Sequence, residues 1–339
     1  MFPKQTREMI EALKKPEAYD SPVKEIRLIQ THISWVFLTG EYAYKIKKPV
    51  DFGFLDFTTL EKRRKFCRKE LEINRMFSPE MYIDVLPVNR FDHTIKINGP
   101  GETIDYAIKM KQFPQENLMD RLLERNMIDT KIIEKIVDIL INFYSKTYTY
   151  TDPHAIGSLE TVKFNWKENF EQTKPFIGKT VDERTFERMK HRVEEFMNRE
   201  KELFDKRLRE GFIKWCHGDL HSGNIFVVDS KVYIFDAIEF NERFACSDVA
   251  NDIAFLTMDL EFRKRKYLSE YLVRRYVEDT GDVDLEKLLD FYKCYRACVR
   301  GKVMSFRIND SNIPDFEKKE AVDRAKIYFQ LAGEYANRF

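Results

Sequence analysis

The chain has 339 residues, of which 43% are hydrophobic and 14% aromatic, so it can bury a substantial core and form two or three domains or lobes. A formal net charge of +1 excludes a chain-wide electrostatic attraction to nucleic acid. No stretch approaches the roughly 20 apolar residues of a membrane span, so we expect no membrane partner. Five scattered cysteines without a C-x-x-C pair indicate reduced thiols and predict a cytoplasmic protein.

The first 113 residues are dominated by strand-like patterns around one long helix. Residues 4–15 predict a short amphipathic helix, and residues 57–77 predict the long one, with Thr58 or Thr59 as its N-cap. Strand-like runs occur at 23–30, 34–40, 42–48, 84–91, 93–97 and 103–113. These patterns predict a five-stranded antiparallel sheet with one helix.

The remainder of the chain is mainly helical. Helical patterns occur at 116–127, 130–147, 159–173, 181–209, 246–262, 263–279, 284–307 and 315–337. They are interrupted by two short β runs, NIFVV and KVYIF, which a tight turn at Asp229-Ser230 joins into a hairpin. We therefore predict an α+β protein with an N-terminal lobe over 1–113 and a larger helical lobe over 114–339.

Gly178-Lys179-Thr180 resembles the end of a phosphate-binding loop. That loop requires a glycine five residues earlier, where this chain has Thr173, and it follows a strand rather than the helical pattern found here. We therefore expect no P-loop at this position.

The segment CHGDLHSGN carries the pattern that bears most directly on chemistry. His217, Asp219 and Asn224 have the spacing H-x-D-x₄-N of the kinase catalytic loop, and Asp236 follows at the end of the second hairpin strand. A hydroxyl that attacks a γ-phosphate needs a carboxylate to orient it and accept its proton, and Asp219 fits this role. Mg²⁺ prefers oxygen ligands, which Asn224 and Asp236 supply. The pattern predicts transfer of the γ-phosphoryl group of ATP with Mg²⁺ as cofactor.

Two other interpretations of this segment stay open. His217, Asp219 and His221 alternate along the chain and could face one side as the ligands of a metal hydrolase, although no further histidine follows His221. The segment could also be a structural turn rich in aspartate. We interpret both histidines as groups that brace the loop.

A kinase-type site also needs a cation for the α- and β-phosphates. The strand YAYKIKK places Lys45 and Lys47 on one face together with Ala43, and Ala43-x-Lys45 has the spacing of the V-A-I-K strand of protein kinases. Lys45 is our candidate and Lys47 the second choice. The alternative is that these lysines only protect an edge strand.

The cation needs a carboxylate partner on the helix that follows. Phe66, Glu70, Ile73 and Phe77 are spaced as one helical face, so Glu70 is the acid on the buried stripe. A buried carboxylate without a cation is costly, which favours a pair with Lys45. Alternatively, Glu70 lies at the margin of the stripe and reaches solvent.

The glycine-rich loop that covers the phosphates in kinases is missing. IQTHISW stands between the first two strands, where backbone N–H groups and the Ser34 hydroxyl could meet a phosphate instead. The nucleotide base is expected against the lobe connection at 111–114, with Gln112 and Phe113 providing its backbone partners.

HGDLHSGN followed by IFDAIEF and SDVANDIAFL resembles the signature of aminoglycoside phosphotransferases and related small-molecule kinases, which share the protein-kinase-like fold. The stretch from Thr31 to Arg64 is similar to a bacterial subgroup that is often fused to a P-loop ATPase. The resemblance implies a bilobal kinase-like fold with an ATP·Mg²⁺ site in the cleft between the lobes. It also implies a small hydroxylated acceptor held by the helical lobe, and a separate P-loop ATPase as a candidate partner.

The resemblance also assigns roles to residues. It implies that Asp219 is the catalytic base, that Asn224 and Asp236 are the Mg²⁺ ligands, and that Lys45 is the phosphate-binding cation with Glu70 as its partner. Function is therefore expected to be that of a small-molecule kinase. The alternative is a nucleotide-binding regulatory module with little turnover that acts with a separate partner.

Three further acids take roles from the same resemblance. Asp252 would tie the catalytic loop, and Asp248 would be structural at a helix N-terminus. Glu239, three residues past Asp236, could reach the metal or substrate, or lie on the surface.

Overall fold

The computed structural model of the protein describes residues 3–23, 25–152, 156–310 and 313–339. Lys24, inside the run predicted as the first strand, lies outside them. Contacts between Cα atoms divide the chain into two units, one formed by Met1–Leu118 and Ile225–Asn241 and the other by Met119–Asn224 and Glu242–Phe339.

This division differs from the predicted boundary after residue 113 in two respects, because the first unit continues to Leu118 and also includes 225–241. The β-hairpin beginning at Ile225 groups with the N-terminal sheet rather than with the helices that flank it in sequence. The reason is packing, because Phe226 and Tyr233 of the hairpin contact the ring of Phe113, with centroids 5.5 and 4.5 Å away.

The first unit is built on an antiparallel sheet of six strands, one more than predicted. In chain order its strands are β1 (Arg27–Gln30), β2 (Ser34–Leu38), β3 (Tyr42–Lys47), β4 (Tyr82–Phe91), β5 (Thr94–Ile97) and β6 (Glu102–Lys111). Their order in the sheet is β1-β2-β3-β6-β4-β5. The extra strand arises because each of the six strand-like runs finds a partner, including the short strands β1 and β5 at the two edges.

Two helices cover this sheet, and the alternation of side chains along β3 separates their cores. Tyr44 and Ile46 belong to the same apolar cluster as Leu13 of α1 (Lys4–Leu13). Ala43 belongs to a second cluster with Cys67 of α2 (Leu60–Phe77). Since side chains alternate along a strand, the face of β3 that carries Ala43 also carries Lys45 and Lys47.

The N-terminus of α2 and the hairpin turn follow their sequence signals. The Thr59 hydroxyl caps α2 by accepting the Lys62 N–H at 3.2 Å. In the hairpin, β8 (Ile225–Val228) pairs with β9 (Lys231–Ile234). Asp229 and Ser230 connect these strands with φ of 48° and 62°, as a two-residue turn with two left-handed positions requires.

The second unit is mainly helical. Its helices are α3 (Met119–Glu124), α4 (Thr130–Lys146), α5 (Leu159–Thr173), α6 (Glu183–Arg199), α7 (Lys201–Arg209), α8 (Glu242–Ala245), α9 (Val249–Phe262), α10 (Lys266–Thr280), α11 (Leu285–Phe306) and α12 (Asp315–Ala336). Two short strands that were not predicted, β7 (Ile213–Trp215) and β10 (Cys246–Asp248), pair antiparallel.

The sequence also led to expectations about membrane-spanning segments and about the cysteines. Over the part of the chain that the structure describes, every helix is too short or too polar to cross a membrane. All five cysteines are buried and none forms a disulfide.

Candidate functional site

Strand β3 carries two lysines into the interior of the first unit. Lys45 and Lys47 are both buried, at 9% and 1% exposure. β3 lies between β2 and β6, so it is not the edge strand that the alternative interpretation required. Lysines are almost never fully buried without a partner, so both ammonium groups need acids nearby.

Glu70 supplies one carboxylate to both lysines. It is fully buried on α2, on the stripe that also buries Ile73 and Phe77. Its Oε1 accepts from Lys45 Nζ at 2.7 Å, and its Oε2 accepts from Lys47 Nζ at 2.6 Å. The structure thus brings the predicted lysine and glutamate together, and Glu70 does not reach solvent.

The segment after β9 supplies a second acid to each lysine. Lys45 Nζ also pairs with Asp236, and Lys47 Nζ donates to Glu239 Oε1 at 2.5 Å. Glu239 is buried at 3% exposure, so of the two alternatives given for it the surface position is wrong. Lys45 and Lys47 are close in sequence, and so are Asp236 and Glu239. However, 192 residues separate Lys47 from Glu239, so no sequence pattern links the lysines to these acids.

The backbone at Asp236 is held in an unusual conformation. Asp236 has φ of 64°, in the left-handed region, and its N–H donates to the Tyr82 hydroxyl at 3.1 Å. The next N–H, of Ala237, donates to Asn74 Oδ1 at 2.9 Å. Asn74 lies one helical turn after Glu70, so α2 positions both the glutamate and this segment.

The charges in this cluster are not equivalent. Burial opposes the charged form of Lys45, but Asp236 and Glu70 overcome it and hold the pKa of Lys45 well above its usual value. Burial also opposes ionisation of Glu70, yet Lys45 and Lys47 lower its pKa to about 2. For Glu239 burial prevails over Lys47 and raises the pKa to about 7. Glu70 is therefore ionised at neutral pH, whereas Glu239 is near its midpoint.

The loop HGDLHSGN lies in the second unit, where Asp252 of α9 fixes its start. The Asp252 carboxylate accepts the N–H groups of His217 and Gly218 at 2.6 and 2.9 Å, and the Tyr144 hydroxyl at 3.1 Å. Gly218 has φ of 81°, a conformation that glycine adopts without strain. Asp252 thus ties this loop as the resemblance implied.

The two histidines of the loop brace its backbone. The Nδ1 of His217 accepts the Asp219 N–H at 3.2 Å, and the Nδ1 of His221 accepts the Gly223 N–H at 3.0 Å. Because Nδ1 of His221 accepts, its proton lies on Nε2, which is 3.5 Å from Asp219 Oδ2. Both Nδ1 atoms are therefore engaged by the backbone of the loop, which is the bracing role predicted for the two histidines.

Asp219 is held ionised at the centre of the loop. Burial opposes its charge, but His221, Arg300 and His217 overcome this and keep the pKa of Asp219 well below the usual range. Its side chain is still 40% exposed, so a ligand can reach the carboxylate. The Nδ2 of Asn224 donates to the Asp219 backbone carbonyl at 2.9 Å and to Oδ2 at 3.1 Å.

Asn224 and Asp236 are the predicted metal ligands. With Nδ2 of Asn224 engaged by Asp219, its Oδ1 is the atom that could coordinate a cation, and the Asp236 carboxylate is 47% exposed. An amide oxygen and a carboxylate suit Mg²⁺, which takes few protein ligands and completes its shell with water and phosphate oxygens. Among the described residues no cluster of three or more His, Cys, Asp or Glu side chains could hold a metal. The amide oxygen of Asn224 and the carboxylate of Asp236 are donors that fit Mg²⁺.

The remaining residues predicted to bind the nucleotide are Ser34, Gln112 and Phe113, and each has a different environment. Ser34 is buried, and among the described residues its Oγ has no hydrogen-bond partner. Its backbone N–H is already donated to the Thr31 hydroxyl at 2.9 Å. The backbone N–H of Gln112 donates to the Glu41 carbonyl at 2.9 Å, and its side-chain Oε1 accepts the Gly40 N–H. The Gln112 N–H is therefore not directed at a nucleotide base. Phe113 is buried among hairpin rings.

Asp248 and the Gly178-Lys179-Thr180 segment lie apart from these contacts. Asp248 caps α9 through the Ala250 N–H at 2.8 Å and pairs with the buried Arg207 through both oxygens, at 2.6 and 2.8 Å. Gly178-Lys179-Thr180 follows α5 and a short 3₁₀ turn rather than a strand. Asp248 is structural, and the segment lacks the strand of a P-loop.

Comparisons by sequence find relatives of no stated function. No protein-family model matches the chain. Uncharacterized proteins of Mycobacterium tuberculosis (strain H37Rv) and Mycobacterium bovis are each 30% identical over 290 residues, or 86% of this chain. The aligned region is 56% of those proteins, so the chain spans about half the length of the curated relatives it matches.

Comparisons by structure extend over nearly the whole chain. A choline/ethanolamine kinase family protein from Mesorhizobium loti has a TM-score of 0.56 at 12% identity and covers 99% of both chains. The GDP complex of an aminoglycoside 2′-phosphotransferase has a TM-score of 0.53 at 11% identity and covers 94% of this chain and 95% of its own. A choline kinase from Streptococcus pneumoniae has a TM-score of 0.55 at 16% identity, with 91% and 94% covered. The chain therefore has the protein-kinase-like fold of aminoglycoside phosphotransferases and choline kinases, as its motifs predicted.

Proposed function

We propose that the protein is a small-molecule kinase that transfers the γ-phosphoryl group of ATP, with Mg²⁺, to a hydroxyl group. The observation that carries this proposal is the buried Lys45–Glu70 pair, whose lysine also contacts Asp236. Protein kinases use such a lysine–glutamate pair beside a metal-binding aspartate for phosphoryl transfer. Solved neighbours with the same fold include an amicoumacin kinase with AMP-PNP and Ca²⁺ and an aminoglycoside 2′-phosphotransferase with GDP.

The residues divide the work in the proposed reaction. Bound Mg²⁺ would neutralise charge on the phosphates, and Asn224 Oδ1 and the Asp236 carboxylate would hold it. Lys45 would bind phosphate oxygens, with Glu70 keeping its ammonium in place. Asp219, ionised because its pKa is depressed, would accept the hydrogen bond of the acceptor hydroxyl and then its proton.

Nucleotide binding is the first test. ATP with Mg²⁺ should raise the melting temperature of the protein, Asp236→Ala should abolish the rise, and Asp219→Ala should leave it. Asp323→Ala, at an exposed position of α12, is the control for loss of an aspartate. Stabilisation by Zn²⁺ but not by ATP with Mg²⁺ would instead support the metal hydrolase.

Phosphoryl transfer is the second test. Labelled γ-phosphate of ATP should appear on one or more members of a pool of small hydroxylated metabolites. Asp219→Ala should reduce that transfer by about 10²–10⁴-fold while binding persists. Binding without transfer to any member would favour a regulatory module with little turnover, acting with a separate P-loop ATPase or another partner.

A further inference from the structure

Strand β3 carries two lysines that share Glu70, but their surroundings differ. The ammonium of Lys47 is enclosed by Glu70, by Glu239 and by the ring of Phe57, whose centroid is 4.8 Å away. Lys45 contacts Glu70 and Asp236. The two lysines thus have the same partner on α2 and different second acids.

The second acids differ in access to solvent. The side chain of Asp236 is 47% exposed, whereas that of Glu239 is 4% exposed. A ligand can therefore reach the Asp236 side of the Lys45–Asp236 contact, and an Asp236 carboxylate released from Lys45 can be solvated by water. Separating Lys47 from Glu239 would leave buried charges without partners, which is strongly unfavourable.

The chain segment between the two acids is anchored at both ends. The N–H groups of Asp236 and Ala237 donate to Tyr82 and Asn74, and Glu239 holds Lys47. Between these anchors the Asp236 carboxylate is the exposed charged group. The arrangement lets that carboxylate change partner while its backbone stays in place.

We propose that Lys47 and Glu239 are positioning residues that form a permanent clamp, while Lys45 exchanges Asp236 for the phosphates of the nucleotide. The clamp would hold Glu70 and the segment after β9 in register during this exchange. Lys47, with its ammonium enclosed, does not bind phosphate. This inference rests on the proposed function for its nucleotide and goes beyond it in separating the two lysines.

The first experiment measures what each lysine contributes to phosphate binding. Calorimetry gives the affinities of Lys45→Met and Lys47→Met for ATP with Mg²⁺ and for adenosine. Lys45→Met should reduce the ATP-to-adenosine affinity ratio by about 10-fold or more, since a charged hydrogen bond is lost. Lys47→Met should change the ratio by less than about 3-fold. An equal loss in both variants would overturn the proposal.

The second experiment needs no ligand and separates the clamp from the proposed function. Lys47→Met should lower the melting temperature more than Lys45→Met, because Glu239 and Glu70 lose a buried cation. Adding Glu239→Gln to Lys47→Met should recover part of that loss, and this double variant replaces Lys47→Met in calorimetry if the single variant does not fold. Lys96→Met and Glu72→Gln, both at exposed positions, are the matched controls.

The outcomes are distinguishable. A double variant no more stable than Lys47→Met would show that the two residues are not coupled and would overturn the clamp, whatever the nucleotide result. Failure of the wild-type protein to bind ATP would overturn the proposed function, and recovery in the double variant would then still support the clamp.

Discussion

Glu70 is an ionised carboxylate with no solvent contact, and two lysines keep it charged. Taking a carboxylate out of water is costly, and the cost is offset only when its oxygens are paired in good geometry. Each oxygen of Glu70 has one ammonium partner, at 2.7 and 2.6 Å. Glu239 has one lysine and lies in a field that already contains Glu70, so its charge is less well compensated.

This difference makes the stability of the protein depend on pH through Glu239. Its pKa is about 7 in the folded protein and about 4.3 in an unfolded chain, so folding favours its protonated form. The stabilising contribution is full below about pH 4.3 and is lost as pH rises through about 7. We expect Glu239→Gln, which cannot titrate, to gain stability relative to the wild type between about pH 5 and about pH 8.

Thermal unfolding of the ligand-free proteins across this range measures the difference. Glu70 titrates at lower pH than Glu239. Its lowered pKa contributes stability that is present above about pH 4.3 and is lost as the pH falls through about 2. Glu72→Gln, at an exposed site on the same helix, should run parallel to the wild type. Parallel curves for Glu239→Gln as well would show that Glu239 does not titrate in this window.

At the scale of the elements, two neighbouring helices are each followed by a residue in the left-handed conformation, but the residue types differ. α10 ends at Gly281, with φ of 71°. After α9, Lys264 occupies the same left-handed region with φ of 62°. The N–H groups of Lys264 and Arg265 donate to the Glu261 and Leu260 carbonyls at 2.9 and 2.8 Å, which is the Schellman pattern.

Lys264→Gly should therefore stabilise the protein by about 1 kcal/mol, because glycine removes the steric cost of the left-handed conformation. Chemical denaturation of the purified variant measures the gain. Lys264→Ala also removes the charge but keeps Cβ, so it should give no such gain. Equal effects of the two substitutions would assign the change to the lysine side chain rather than to the backbone.

Elements with a local signal were predictable, and those defined by distant partners were not. The cap at Thr59 and the turn at Asp229-Ser230 are properties of a few adjacent residues, and both were predicted. β7 and β10 have three residues each, too few to show an alternating pattern, and they exist because they pair with each other. The Lys45–Glu70 pair could be predicted from a helical stripe, whereas the second pair, between Lys47 and Glu239, had no comparable signal.

At the scale of the whole molecule, segments that are far apart in sequence belong to the same structural unit. The first unit combines the N-terminal residues with a hairpin segment encoded more than a hundred residues later. That segment supplies acids to both buried lysines, and the Ile234 carbonyl accepts the Ser78 hydroxyl at 2.8 Å. A boundary placed by composition alone separates these partners, because composition does not record which distant segment returns.

A fragment of residues 3–118 should consequently fail to unfold cooperatively. Without 225–241, Lys45 and Lys47 share Glu70 as their remaining acid, and Phe113 loses the rings of Phe226 and Tyr233. Joining residues 225–241 to this fragment through a flexible Gly/Ser linker should restore a cooperative thermal transition in circular dichroism. A fusion carrying the same 17 residues in scrambled order controls for added length and composition. A cooperative transition in the unfused fragment, at the temperature of the native fusion, would show that the hairpin is not needed to complete the unit.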